Sequence, residues 1–403
     1  MFIVVSSYFA LILILFWSYC GYTLTLYLFT LFNGSKPGSR VVVSDEALEH
    51  ILVVVPCYNE ADHLAAKIEN LQALNYPKER LRVLFVDGGS SDGSIAMIRA
   101  AVDHHPGWQL EQSPIAAKID QMNLALTHRH DEPFVLSTDV DAILDSDSLR
   151  QMAQLLQQRP DVGVVGANIT PGESALDIER QYWSDQNCIR YLESNAHSSS
   201  IVVAPAYLFR AEIFSSFPED CIADDIYAAF VANARGYRVE YLRTARGRET
   251  RVPTNIRDYV THKFRKGNAY ITELLRFSYQ FPRFEPLWKV IFFTKFLQVV
   301  VCPWVIPYWL LATLSLLLGD ETRQEIAIVG LVFLMAGLVI TSLLIQRIQG
   351  KSSGLDGAGQ RKRHMFAAFF LNNMVMLLVG LTFPFYSQSS SYRKIGPVRV
   401  EQP

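Results

Sequence analysis

Three acidic stations stand on this chain in a fixed order. Asp87 closes the apolar run Val83-Leu84-Phe85-Val86, and Asp139 and Asp141 close Pro133-Phe134-Val135-Leu136-Ser137-Thr138. The pair Asp224-Asp225 follows Glu219-Asp220-Cys221-Ile222-Ala223. Several carboxylates with no cation among them invite a hard divalent ion, and oxygen-only ligands suit Mg²⁺ or Mn²⁺ rather than zinc. Apolar runs of this length read as buried strands of a parallel sheet, which binds ligands beyond its carboxyl ends. One crevice is therefore expected to collect all three stations, as an enzyme would need.

The elements that must position them follow an α/β alternation from Ile51 to about Tyr241. Ile51-Leu52-Val53-Val54-Val55 reads as a strand ended by Pro56-Cys57-Tyr58-Asn59-Glu60, with a helix from about Ala61 to Leu74 and a second strand from Arg82 to Val86. The loop Asp87-Gly88-Gly89-Ser90-Ser91-Asp92-Gly93-Ser94 is rich in turn and capping residues. Taken singly, each station has a plainer reading. Asp92 suits a turn, an Asp-x-Asp triplet arises by chance, and Asp224-Asp225 could simply open a helix running to Ala234. Their common position after strand-like runs is what points to a site.

Composition places this domain at a membrane. The 403 residues carry a formal charge of −2, with 19% charged and 50% hydrophobic residues, and the mean hydropathy is +0.14. No electrostatic case for nucleic acid arises. Phe2 to Phe32 is almost wholly apolar and precedes the first charge, Lys36, so one tilted span fits. A cleaved signal peptide fits less well, because no basic region leads the run. Three further spans are expected at about Val290 to Leu318, Ile326 to Ile345 and Met365 to Phe385. The first of these holds Lys295, Pro303 and Pro307, which predict a kink or an interfacial start.

Basic residues near the span ends set the orientation. Lys36 and Arg40 follow the first span, and Arg347, Lys351, Arg361, Lys362 and Arg363 lie between the third and fourth. The loop Asp320 to Glu325 is net acidic. The expectation is an integral protein of the cell membrane, with residues 1–35 a first span, 45–250 a cytoplasmic catalytic domain, 251–288 interfacial amphipathic helices, 289–388 the later spans and 389–403 a tail. The five cysteines show neither metal spacing nor a disulfide framework and read as reduced, inert thiols.

The residues of the central domain resemble the family 2 glycosyltransferases, whose catalytic domain has the nucleotide-sugar-binding fold called GT-A. The resemblance rests on Pro56-Cys57-Tyr58-Asn59-Glu60, Val86 to Ser94, Lys118 with Asn123, Asp139-Val140-Asp141 and Ala223-Asp224-Asp225, and extends over roughly Ile51 to Ala269. The apolar ends are similar to those of the hyaluronan, chitin-oligosaccharide and poly-N-acetylglucosamine synthase branch. The resemblance implies that Pro56, Tyr58, Glu60 and Asp87 hold the nucleobase and ribose of a donor, a UDP-sugar. Lys118 and Arg265 would approach its diphosphate, and Asp139 and Asp141 would hold the divalent ion. It makes Asp225 the general base and implies inversion at the anomeric carbon, hence a β-linkage from an α-linked donor. Asp224 is left an orienting role.

One departure stands out. The synthase branch carries Gln-x-x-Arg-Trp where this chain reads His262-Lys263-Phe264-Arg265-Lys266. Only the arginine is kept, and Lys266 removes a stacking platform for an acceptor sugar. Lys263 and Lys266 would equally suit a basic helix lying on anionic lipid headgroups. His262 and Lys266, with Arg210 at the end of Ser198 to Arg210, are the candidate acceptor-side residues. The leading expectation is transfer of one sugar to a lipid or lipid-linked acceptor. The alternatives are a processive synthase exporting a polymer and, in another class, a transporter or receptor that only binds nucleotide.

Overall fold

A computed structural model describes residues 2–33, 44–350 and 365–385. Eight strands form one sheet in the order β3-β2-β1-β4-β7-β6-β8-β5. They are β1 (Ile51–Cys57), β2 (Leu81–Asp87), β3 (Trp108–Gln112), β4 (Phe134–Thr138), β5 (Ala142–Leu144), β6 (Val162–Pro171), β7 (Ala206–Arg210) and β8 (Arg238–Glu249). β1 pairs in parallel with β2 and β4, β2 with β3 and β6 with β8. Only β7 and β5 run against the rest. The sheet is thus mostly parallel, and its carboxyl edge is set by register: Cys57 lies beside Asp87, and Thr138 beside Ala206.

Both faces of the sheet are covered, which is why its central strands read as unbroken apolar runs. Ile51, Val53, Val55, Val83 and Phe85 bury into one core with the helix Ala61–Ala73, while Leu52, Val54, Leu84 and Val86 bury into the other with Met122 and Phe230. Of the helices, Asp224–Ala234 begins at the third acidic station.

Among the described residues, three helices are long and apolar enough to cross a membrane: Val4–Phe32, Pro286–Leu317 and Glu321–Gln349. A shorter apolar helix runs over Phe369–Phe385. Their outer faces carry Leu311 and Val332, each more than 60% exposed, as a lipid-facing surface requires. Their inner faces pack closely through small residues: Gly330 meets Tyr8 and Ile12, and Gly337 meets Phe16 and Cys20. The first two spans each contain a π-helical turn, Trp17–Gly21 and Leu297–Val301. The Gln298 amide donates to the carbonyl of Ser18, joining the two turns. The second of these wide turns ends just before Cys302 and Pro303. All five cysteines are free and buried.

The basic residues Lys36, Arg40, Lys351, Arg361, Lys362 and Arg363 and the tail lie outside the described residues.

Candidate active site

The site forms at the carboxyl edge, where β4 stops and the chain turns through Asp139 and Asp141. The Asp139 amide donates to the carbonyl of Pro205 (3.2 Å), which ties the turn to the start of β7. Thr250 donates twice to the Asp141 carbonyl, at 2.8 and 3.0 Å, tying it to the end of β8. Beneath the turn lies Lys67, fully buried, whose ammonium donates to Thr138 Oγ1 and the Ala142 carbonyl, both at 2.7 Å. Burial pulls this ammonium down to about 8, opposed by Asp139 and Asp141. Sequence reading missed Lys67, because a lysine on an amphipathic helix gives no sign that it points inward.

Lys118 is the hub of the cluster. Its Nζ lies 2.7 Å from Asp139 Oδ1 and 3.1 Å from Asp224 Oδ2. Burial alone would lower this ammonium, but the two carboxylates hold it above its ordinary range. Asp224 also accepts the Tyr207 hydroxyl (2.8 Å), and burial still holds its carboxyl above the usual range against the pull of Lys118. Asp225 is less enclosed, and its Oδ2 accepts the Ala204 amide at 3.0 Å. Asn123 exchanges two hydrogen bonds with the backbone of Phe217, fixing the segment that leads to this pair.

Asp141 is buried and faces Arg251 at 3.8 Å; Arg251 in turn pairs with Glu60. Burial, with Asp139 beside it, pushes the Asp141 carboxyl up to about 6. Glu249 keeps some surface open to the cleft, yet desolvation there, with Asp141 and Asp139 nearby and Lys266 opposing, pushes it up to about 8. Neither Arg251 nor Glu249 was foreseen. Both end the polar run Arg238–Glu249 and its loop, whose sequence does not read as a strand aimed at the site.

A cavity of about 730 Å³ gathers these groups. Its wall includes Lys118, Asp139, Asp141, Asp224, Asp225, His262, Arg265 and Lys266 among the expected residues. It continues between the membrane helices, where Ser18, Gln298, Thr341 and Asn372 line it. His262 is held neutral, since burial and then Lys266, Lys263 and Arg265 push its imidazole well below the ordinary range.

Other expected residues lie elsewhere. Asp87 is on the same sheet edge but not on the cavity wall. It is fully buried, its Oδ2 accepting the amides of Gly89 and Ser90 (both 2.8 Å) and its Oδ1 the Ser90 hydroxyl, so the carboxylate closes its own loop. Two of the three stations therefore share one cavity and the first does not. Pro56 pairs with Val86 just before that loop, and Glu60 accepts from Arg251, which lines the cavity. Arg210 is outside the cleft: β7 runs antiparallel to β4, so Arg210 pairs with Phe134 at the far edge and donates to the carbonyls of Val162 and Leu156. Lys263 does not face headgroups either, because its ammonium lies 2.8 Å from the buried Glu179 and 3.5 Å from the Tyr182 ring centroid.

A mostly parallel sheet of this order, with an acidic turn after β4, has the architecture of the GT-A fold. Residues 52–217 match the family described as Glycosyl transferase family 2. Among curated proteins, the poly-β-1,6-N-acetyl-D-glucosamine synthase of Staphylococcus aureus is 24% identical over 206 residues, 49% of this chain and 49% of that protein. The Staphylococcus epidermidis synthase of the same name is 23% identical over 220 residues, 52% and 53% of the two chains. The chain thus spans about half the length of the curated relatives it matches. Among solved structures, a mannosyltransferase of Pyrobaculum calidifontis, in complex with GDP-Man and Mn²⁺, superposes with a TM-score of 0.65 at 21% identity. That match covers 94% of this chain and 99% of the other, and shows the shared fold.

Proposed function

We propose that the chain is a membrane-embedded inverting glycosyltransferase that moves a sugar from a cytoplasmic nucleotide sugar to a lipid or lipid-linked acceptor. The observation that carries this reading is the single cavity holding Asp139, Asp141, Lys118 and Asp225 and continuing among the membrane helices. The nucleoside end of the donor is assigned to Pro56, Tyr58, Glu60 and the loop shaped by Asp87. Its diphosphate is assigned to Lys118 and Arg265.

Asp139 and Asp141 fit a hard divalent ion, because they present oxygens only. Among the described residues no three acidic, histidine or cysteine side chains form a ready-made ion cage. Two carboxylates completed by donor phosphates suit Mg²⁺ or Mn²⁺, which when bound supplies charge neutralisation for the departing diphosphate. The Mn²⁺ and GDP-Man held by the Pyrobaculum neighbour support this assignment.

Asp225 takes the proton of the acceptor hydroxyl as its oxygen bonds to the anomeric carbon, while the bond from that carbon to the phosphate oxygen breaks. Attack opposite the leaving group gives inversion, and an α-linked donor then yields a β-linkage. A base so placed contributes about 10²–10⁴-fold. The polar groups of Gln298, Thr341 and Asn372 along the membrane part of the cavity favour a second reading, in which a growing β-linked polymer passes there.

Incubating membranes containing the protein with labelled UDP- and GDP-sugars plus Mn²⁺ or Mg²⁺ tests both. Metal-dependent label that extracts into organic solvent is expected. Label retained in an aqueous polymer would favour the second reading, and no label in either phase would refute transfer.

A further inference from the structure

Among the described residues, buried cations are nearly all matched. Lys118 has Asp139 and Asp224, Lys263 has Glu179, and Lys295 has Glu193. Lys67 has no carboxylate in range but donates to two oxygens. Arg190 breaks the pattern. It is 6% exposed, its guanidinium donates to the neutral amide of Asn187 (2.6 Å), and its Nε has no partner. Lys266, on the facing helix Ile256–Ser278, makes no ion pair within 4.0 Å among the described residues, although its charge acts on the Glu249 carboxyl. Both cations flank one indole, with Arg190 at 5.7 Å and Lys266 at 5.6 Å from the Trp183 ring. Trp183 itself is fixed by its own bond to Glu179 (2.9 Å).

A guanidinium removed from water without an anion is costly, and a fold that keeps one has a reason to do so. Both groups line the cavity described above. The same wall carries Ile345, Phe369, Val375 and Met376 from the apolar helices, beside the polar Thr341 and Asn372. An occupant that satisfies this wall is anionic at Arg190 and Lys266 and carries an apolar portion. Its oxygen nucleophile must also reach Asp225.

We propose that Arg190 and Lys266 form the phosphate clamp of the acceptor subsite, and that the acceptor is a lipid with a phosphate or diphosphate head. This rests on the reading of Asp225 and Lys118 as the transfer and donor side of the same cavity. It also accounts for the lysine at position 266: a charge at that place selects phosphate where a ring would select a sugar.

The full-length protein in nanodiscs of neutral phosphatidylcholine is titrated with farnesyl phosphate, farnesol and inorganic phosphate, and separately with UDP and GDP. Farnesyl phosphate is expected to bind at least about ten-fold more tightly than farnesol, and Arg190→Gln and Lys266→Gln are each expected to weaken it by about ten-fold or more. Nucleotide affinity is expected to hold in both variants. Equal binding of farnesol, or unchanged farnesyl phosphate binding in both variants, overturns the proposal. So does a loss of nucleotide affinity, which would give the two cations to the donor. Inorganic phosphate binding as tightly as farnesyl phosphate would overturn the lipid assignment.

The thermal midpoint supplies a second readout. Arg190→Met without ligand should melt no lower than the wild type, since an uncompensated charge has gone; a fall of several degrees would make Arg190 structural and overturn the proposal. If no nucleotide binds any form while the farnesyl phosphate effect stands, the donor reading fails and the clamp does not.

Discussion

Asp225 accepts the Ala204 amide at Oδ2 and the Ile226 amide at Oδ1, and it lies on the cavity wall. Its neighbour Asp224 turns inward to Tyr207 and Lys118. That division gives the two adjacent acids different consequences. Asp225→Asn should lower transfer by about 10²–10⁴-fold while nucleotide-sugar binding persists. Asp141→Ala should instead weaken metal-dependent donor binding. Kinetics alongside equilibrium titration of the donor would separate the two effects. Normal transfer by both variants would remove the site assignment. Sequence disclosed the acids after β4, because strand ends are marked by where apolar runs stop; Asp224 and Asp225 instead follow a loop and open the helix Asp224–Ala234, so the strand expected before them is absent. Nor could sequence disclose that Asp87 spends its oxygens on Gly89 and Ser90, since the same residue types serve a loop closure and a ligand contact.

The helix Ile256–Ser278 illustrates how much an element hides. Its basic stretch reads as a membrane-surface face, yet Lys263 and Glu273 both point inward. The inward residues find partners on Asp177–Ala196 and on the loop before Asp224, contacts of long sequence separation that periodicity alone cannot reveal. Burial pushes the Glu273 carboxyl from 4.5 up to about 7, with Arg276 opposing. The folded state therefore holds a proton that the unfolded chain releases above pH 4.5. The stabilisation is complete below that pH, shrinks as pH rises toward 7, and is gone above it. Glu273→Gln should flatten this slope and raise stability at pH 8 by roughly 1–3 kcal/mol, read from denaturation across pH 4 to 8. Arg276 keeps a partner in the variant, because Asp220 lies 2.8 Å away. A slope identical to the wild type would exclude Glu273 as its source.

At the scale of the molecule, the catalytic domain and the membrane helices are one packed unit. Glu193 accepts the Tyr22 hydroxyl at 2.7 Å, the Lys295 ammonium at 2.9 Å and the Ser200 amide at 2.8 Å, so one carboxylate joins two spans to the domain. Removing one member of such a pair strands the other. Glu193→Gln should cost about 3–5 kcal/mol, and the double change Glu193→Gln with Lys295→Met should recover much of it. Thermal unfolding in detergent would report the difference, and strictly additive losses would mean that the pair is not coupled.

The shared cavity carries one more implication, for anyone dissecting the protein. Part of its enclosure is furnished by the long apolar helices, so an excised water-soluble fragment would hold a nucleotide pocket with its roof removed. Such a fragment should still recognise the donor and yet leave the sugar with nowhere to go but water.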